Sequence, residues 1–216
     1  MPIIFVPQPS KSHWIPVFFI HIPKCGGTSI ESSLSDAGCV IRFHDRFDNA
    51  EHSFLQNRLL FKCPSQHFHY EMLSSIFNLH AFDNIFAVVR NPFARLASEF
   101  RFMAGKTGLG DTLDTVDEWA EVVLDEREQN PFHLFNHLRP QMEFIPPVNT
   151  VVYKLEDGLD VVLKGIFKRL QKRQGWSPRE LESQKLVLHH EKRTSGLGSM
   201  EALNHEKILR ANATLS

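Results

Sequence analysis

The stretch FFIHIPKCGGTSI, residues 18–30, limits the fold more than any other part of this chain. Residues 17–22 form a short apolar run bounded by prolines, which reads as a buried strand. Helix-compatible residues, 28–34, follow directly after Gly26 and Gly27. The expected unit is therefore strand, glycine loop, helix. At a helix N-terminus the backbone N–H groups of Gly26, Gly27 and Thr28 lack intrahelical partners, and the helix dipole adds positive potential, so such a loop suits an anion. A plain tight turn is the bland alternative, but Lys24 before the glycines and the hydroxyls of Thr28 and Ser29 after them weigh towards phosphate. The order is wrong for a triphosphate. In the G-x-x-x-x-G-K-[ST] loop the lysine follows the glycines and reaches the β and γ phosphates, whereas Lys24 precedes them.

A second unit of the same kind lies in NIFAVVRNPFARLASEF, residues 84–100. Residues 85–89 are a continuous β-rich run, Pro92 suits the first turn of a helix, and Phe93, Leu96, Ala97 and Phe100 recur at helical spacing. Arg90 closes the strand and Ser98 follows eight residues later. A residue at the carboxyl end of a parallel strand faces the ligand crevice, and a guanidinium there suits bidentate phosphate binding. The structural alternative is a salt bridge, which is the reading for Arg95 and Arg101, expected on the helix surface. A third strand is expected in residues 150–158 and a third long helix in 159–174. Between these units, Ser65 is expected to cap a helix carrying Met72, Leu73, Ile76 and Phe77, residues 116–124 form an amphipathic helix, and residues 39–54 show no clear period. Strands alternating with helices indicate an α/β fold with a mostly parallel central sheet flanked by helices. At 216 residues one domain is expected, with residues 1–15 as an N-terminal extension and 196–216 as a C-terminal tail.

Composition removes several functions. A net charge of −1 argues against a chain built to coat nucleic acid or an anionic membrane. Residues 111–128 are acidic and residues 163–176 carry only positive charge; the plain reading of both is a solvated helix face, which is favoured for the acidic one, while the basic one could also face an anionic ligand. Three irregularly spaced cysteines make neither a disulfide framework nor a zinc site. The sequence carries no leader pattern and no apolar run of membrane-spanning length, so a soluble, cytoplasmic chain is expected, or a Golgi-lumenal one if this is a trimmed catalytic domain.

Two separate anion sites on adjacent units suit a ligand with phosphates at two places. HIPKCGGTSI resembles the 5′-phosphosulfate loop, and VVRNPFARLASEF the 3′-phosphate segment, of sulfotransferases that use 3′-phosphoadenosine 5′-phosphosulfate (PAPS). The wording is most similar to the carbohydrate type that includes the heparan and dermatan uronosyl 2-O-sulfotransferases, with weaker similarity through HLRPQMEFI and VVYKLEDG. The resemblance implies a P-loop-like α/β fold and transfer of a sulfuryl group to a hydroxyl of a saccharide acceptor, with 3′-phosphoadenosine 5′-phosphate (PAP) as product and no metal. It also implies that Lys24 stabilises charge on the leaving oxygen, that Gly26, Gly27, Thr28 and Ser29 hold the 5′-phosphate, and that Arg90 and Ser98 hold the 3′-phosphate. The family's base comes from a histidine-bearing segment between the two motifs. Here that is PSQHFHYEM, with His67 the first choice and His69 the alternative, while His21 reads as structural. Arg193, Thr194 and Ser195 resemble the late loop that closes over the nucleotide, against a plain basic loop as the alternative. Cys25 reads as a tolerated small residue, because direct transfer needs no covalent intermediate. The rival readings are a P-loop kinase or other triphosphate enzyme, disfavoured by the lysine's position, and a non-catalytic nucleotide- or glycan-binding relative. No nucleic-acid partner is expected, and the oligomeric state is not legible.

Overall fold

The computed structural model describes residues 2–7, 14–43, 62–107 and 116–174. Among the described residues five strands form one sheet: β1 (Ile3–Pro7), β2 (Trp14–Ile20), β3 (Val40–Arg42), β4 (Ile85–Val89) and β5 (Thr150–Lys154), in the order β3-β1-β2-β4-β5. Five α-helices accompany them among the described residues: α1 (Gly27–Asp36), α2 (Tyr70–Ile76), α3 (Pro92–Thr107), α4 (Val116–Gln129) and α5 (Leu159–Gln174). The sheet is mixed. β2, β4 and β5 run parallel, whereas β1 pairs antiparallel with both β2 and β3. The parallel half agrees with the alternating strands and helices of the sequence. The antiparallel half was not foreseen: β1 falls in the expected N-terminal extension and β3 in the stretch without period.

Both faces of the sheet are covered, which is why its central strands are continuous apolar runs. Val17 and Phe19 of β2 point to one face with Phe86 and Val88 of β4, where Ile30 and Leu34 of α1 and Leu163, Ile166 and Phe167 of α5 close over them. Phe18 and Ile20 point to the other, with Ile85 and Ala87, against Leu73 of α2, Leu79 and Phe144. A third cluster joins Leu96 and Phe100 of α3 to Trp119, Val123 and Leu124 of α4. On α5 the lysines at 164, 168 and 172 are all exposed, and the acidic residues of α4 are mostly exposed too, so the described parts of both charged segments are largely solvated faces.

Several expected elements shift. Ser65 does not cap α2: residues Ser65–His67 make a separate 3-10 turn, the chain extends at Phe68, and His69 occupies the N-cap position. β5 is an edge strand and only half-buried, since one side has no neighbouring strand among the described residues. α3 starts where Pro92 predicts, and Asn91 caps it by accepting the N–H groups of Phe93 and Ala94 at 3.0 and 3.2 Å. Among the described residues no helix is long and apolar enough to cross a membrane.

Candidate active site

The parallel strands β2, β4 and β5 deliver three segments to one edge of the sheet: the glycine loop, Arg90 with Asn91, and Leu155–Asp157. This is the edge where open α/β sheets bind ligands. The loop is bent hard. Lys24 has φ 65, in the left-handed region where side chains other than glycine are strained, and Gly26 has φ 79 as the N-cap of α1. No side chain caps α1 and no acidic residue stands in its first turn, so the first amides and the dipole are left to an incoming anion. Gly27 is obligatory on packing grounds, because a Cβ there would lie 2.4 Å from Cε1 of His21.

Arg90 and the glycine loop meet directly. The Arg90 guanidinium donates from Nη1 to the carbonyl of Lys24 at 3.2 Å, and burial, with Arg101 nearby, lowers its pKa below the ordinary value. Gln141 fastens the same junction. Its Oε1 accepts the Arg90 N–H at 2.9 Å and lies 3.3 Å from the Cys25 sulfur, while its Nε2 donates to the Arg90 carbonyl at 2.7 Å. Glu156, after β5, accepts the Asn91 N–H at 2.7 Å. Ser98 is half-buried on α3, Thr28 is exposed and Ser29 is half-buried on α1. Arg193, Thr194 and Ser195 lie outside the described residues.

Arg95 is not on the surface as expected. It is 5% exposed and donates from Nε to the Pro23 carbonyl at 2.9 Å, from Nη1 to Arg139 at 2.9 Å and from Nη2 to His137 at 2.5 Å. A buried guanidinium satisfied by carbonyls is a clamp: it ties the glycine loop to the segment around His137. Cys25, inside the loop, is buried, and burial pushes its thiol up to about 11 despite Arg95 and Arg90 nearby, so it is a poor nucleophile.

His67 and His69 separate in space. His69 turns to Asn136, whose Nδ2 lies 3.4 Å from Nδ1, and to Glu71 at 3.6 Å from Nε2; burial first, then Arg139, lowers its pKa. His67 packs its ring against His21 and His137, with centroids 5.5 and 4.6 Å away. Burial holds its pKa well below 6.5, and charge on His137 or His21 would depress it further. Each of the two neighbouring rings has its own carboxylate: Nδ1 of His21 is 2.6 Å from Glu31, and Nδ1 of His137 is 2.7 Å from Glu99. Among the described residues no group of three or more His, Cys, Asp or Glu side chains is arranged to hold a metal ion.

The family model described as the sulfotransferase family matches residues 12–162, more than half of the chain and including the glycine loop, Arg90, Ser98 and the histidine cluster. The chain belongs to the sulfotransferase family. No curated protein and no solved structure matches it. This sulfotransferase thus brings the two motifs read from its sequence to one edge of one sheet. Four contributors were missed or underrated: His137, Glu99, Gln141 and Arg95. His137 and Gln141 fall within HLRPQMEFI, the stretch of weaker family resemblance, but nothing local marked their roles, since their contacts join residues far apart in sequence.

Proposed function

We propose that the chain transfers a sulfuryl group from PAPS to a hydroxyl of a saccharide acceptor by in-line displacement. The observation that carries this reading is the junction of the two motifs, Arg90 bonded to the backbone of Lys24 over an uncapped helix N-terminus. In this reading Gly26, Gly27, Thr28 and Ser29 hold the 5′-phosphate, and Arg90 and Ser98 hold the 3′-phosphate. Transfer through a loose transition state needs positioning and electrostatic stabilisation more than covalent chemistry. Lys24, whose ammonium lies 4.0 Å from the Phe102 ring centroid, supplies positive charge to the leaving oxygen. A histidine of the cluster around His67 takes the acceptor proton. The absence of the Gly-Lys-Ser/Thr order speaks against a triphosphate enzyme.

Calorimetry with PAP and AMP tests the donor. Wild-type protein should bind PAP about 100-fold more tightly than AMP, and Arg90→Ala should erase most of that preference, as expected for losing roughly 2–3 kcal/mol of charge-assisted hydrogen bonding. Equal affinity for the two nucleotides in the wild type would rule out a 3′-phosphate site. Transfer of label from PAPS to an unsulfated chondroitin oligosaccharide tests the acceptor class, and Lys24→Ala should slow it about 100- to 1,000-fold with PAP binding largely retained.

A further inference from the structure

Three imidazoles share the buried cluster, and the geometry distinguishes them. His67 is 4% exposed, and its ring nitrogens are poorly placed to accept a proton. The amide nitrogen of Gln66 lies 3.2 Å from Nε2 and can only donate there, which puts the ring hydrogen on Nδ1, a buried atom that reaches no side-chain acceptor and has only the Phe135 backbone to favour a charge on the ring. A proton gained at this position would have no carboxylate to stabilise it. His21 has a carboxylate, but its ring is only 7% exposed and lies against Gly27.

His137 differs on each count. Its side chain is 14% exposed, the most open of the three, and its Nδ1–H donates to Oε2 of Glu99, which is itself 2% exposed. Burial would raise the Glu99 pKa, but His137, Lys24 and Arg95 outweigh it and keep the carboxylate ionised. The accepting lone pair of His137 is therefore on Nε2, at the opposite edge of the ring. That ring stacks at 6.1 Å on Phe102, the same ring over which the Lys24 ammonium sits. The charged groups around it are thus Glu99 and Arg95 of α3, Lys24 of the loop, and the His67 ring from its turn with His21 behind it, while Arg139, two residues on, turns its guanidinium to Asn136 and Glu143.

The backbone before His137 is strained to hold it there. Leu134, Phe135 and Asn136 have φ of 48, 56 and 72, three consecutive left-handed residues, none of them glycine. Such a turn is sterically costly for side chains other than glycine and persists only where the surroundings enforce it. Here Asn136 donates to the His67 carbonyl at 2.9 Å, and Arg95 holds the His137 carbonyl at 2.5 Å.

We propose that His137, oriented by Glu99, is the group that accepts the proton of the acceptor hydroxyl, and that His67 packs behind it. The assignment rests on the transferase reading above. As the acceptor oxygen bonds to sulfur, the bond between sulfur and the 5′-phosphate oxygen breaks and its electron pair leaves with PAP. The O–H proton passes to Nε2 of His137 while the Nδ1 hydrogen stays on the ring, donated to the ionised Glu99, and water later takes the Nε2 proton. Glu99 is a positioning residue: it fixes the tautomer and offsets the positive charge that forms.

The test compares His137→Gln, Glu99→Gln and His67→Gln by PAP calorimetry and by the pH profile of kcat for PAPS consumption, with an unsulfated chondroitin oligosaccharide and with water as acceptors. His137→Gln should lower kcat about 100- to 10,000-fold, keep PAP affinity within about threefold, and remove the acidic limb of the profile. Glu99→Gln should retain that limb but move it to lower pH, because the imidazolium loses its counter-charge; an unmoved limb overturns the proposal even if His137→Gln fails to fold. Loss of the limb in His67→Gln, with its retention in His137→Gln, transfers the role to His67. A wild type that binds PAP but consumes no PAPS sinks the transferase reading and this assignment with it, an outcome distinct from an active enzyme whose acidic limb ignores His137.

Discussion

His21 and His137 are built alike and situated differently. Each is bonded through Nδ1 to a buried glutamate, at 2.6 Å to Glu31 and 2.7 Å to Glu99, and each packs against the ring of His67. The difference lies on the other side of the ring. His21 fills the space that a Cβ at Gly27 would take, so its pair with Glu31 props the glycine loop from beneath. His137 reaches towards Phe102 and Lys24 and keeps part of its edge open. A histidine–carboxylate pair is thus not a function by itself: what lies beyond the free nitrogen decides whether it braces a loop or can exchange a proton with a ligand.

Gly27→Ala is the harshest break of that comparison. The new Cβ would stand 2.4 to 2.8 Å from three atoms of a ring that Glu31 holds in place, so the ring or the loop must move. The expected result is loss of measurable PAP binding together with roughly 1–3 kcal/mol of stability, the usual cost of overpacking. Normal PAP affinity in a folded Gly27→Ala protein would show that the loop is not propped by His21.

Exchanging the two carboxylates in turn sharpens the contrast. Glu31→Gln should cost about 1–3 kcal/mol in urea unfolding, as for a weakened buried hydrogen bond, while kcat stays within about fivefold of wild type. Glu99→Gln should instead lower kcat about 10- to 100-fold. If Glu31→Gln slows the reaction as much as Glu99→Gln without weakening PAP binding, the two pairs are equivalent in function and the distinction drawn from their surroundings is wrong.

Stability against pH gives a milder probe of the ring between them. The folded-state pKa of His67 is depressed below 6.5 by burial, so its contribution is present above 6.5 and is lost as pH falls through and below that value, because the unfolded chain takes up the proton first. Glu99, also depressed, follows the same sign from 4.5 downward. Wild-type stability should therefore begin to fall near pH 6.5, with His67 adding at most about 1.4 kcal/mol per pH unit. His67→Gln should flatten the slope between pH 6.5 and about 5.5 in urea titrations. An unchanged slope would mean that His67 titrates alike in the folded and unfolded chain and is not sealed between its neighbours.

The same comparison shows what sequence could and could not reveal. Ile85–Val89 followed by Pro92 was legible because a β-rich run and a proline at the first helical position are local signals, and α5 was legible because its apolar period ends where the glutamine-rich, basic end begins. The glycine loop and Arg90 were legible as residue types at strand ends. The antiparallel addition of β1 was not, because pairing of Ile3 with both Phe18 and Arg42 is decided by contacts remote in sequence. His137 was hidden for the same reason: its glutamate is 38 residues away, and the left-handed turn that presents it contains leucine, phenylalanine and asparagine where sequence rules look for glycine. His67 and His69, two residues apart, could be separated only once the break between the Ser65–His67 turn and α2 sent their rings to different neighbours.

Cys25 supplies the smallest expected effect and guards the comparison against a different chemistry. Were its thiolate to attack sulfur first, the initial step would need no base, and the contrast between His21 and His137 would say nothing about that step. Burial argues against this by raising the thiol to about 11, which leaves little thiolate near neutral pH, and the sulfur is turned towards Gln141 and the Pro23 carbonyl. Cys25→Ser should therefore retain kcat within about threefold, since a hydroxyl can still donate to Gln141, and the native protein should resist iodoacetamide at Cys25 at neutral pH. A Cys25→Ser protein that binds PAP normally yet transfers no sulfuryl group would reveal a covalent intermediate and move the base chemistry to a second step.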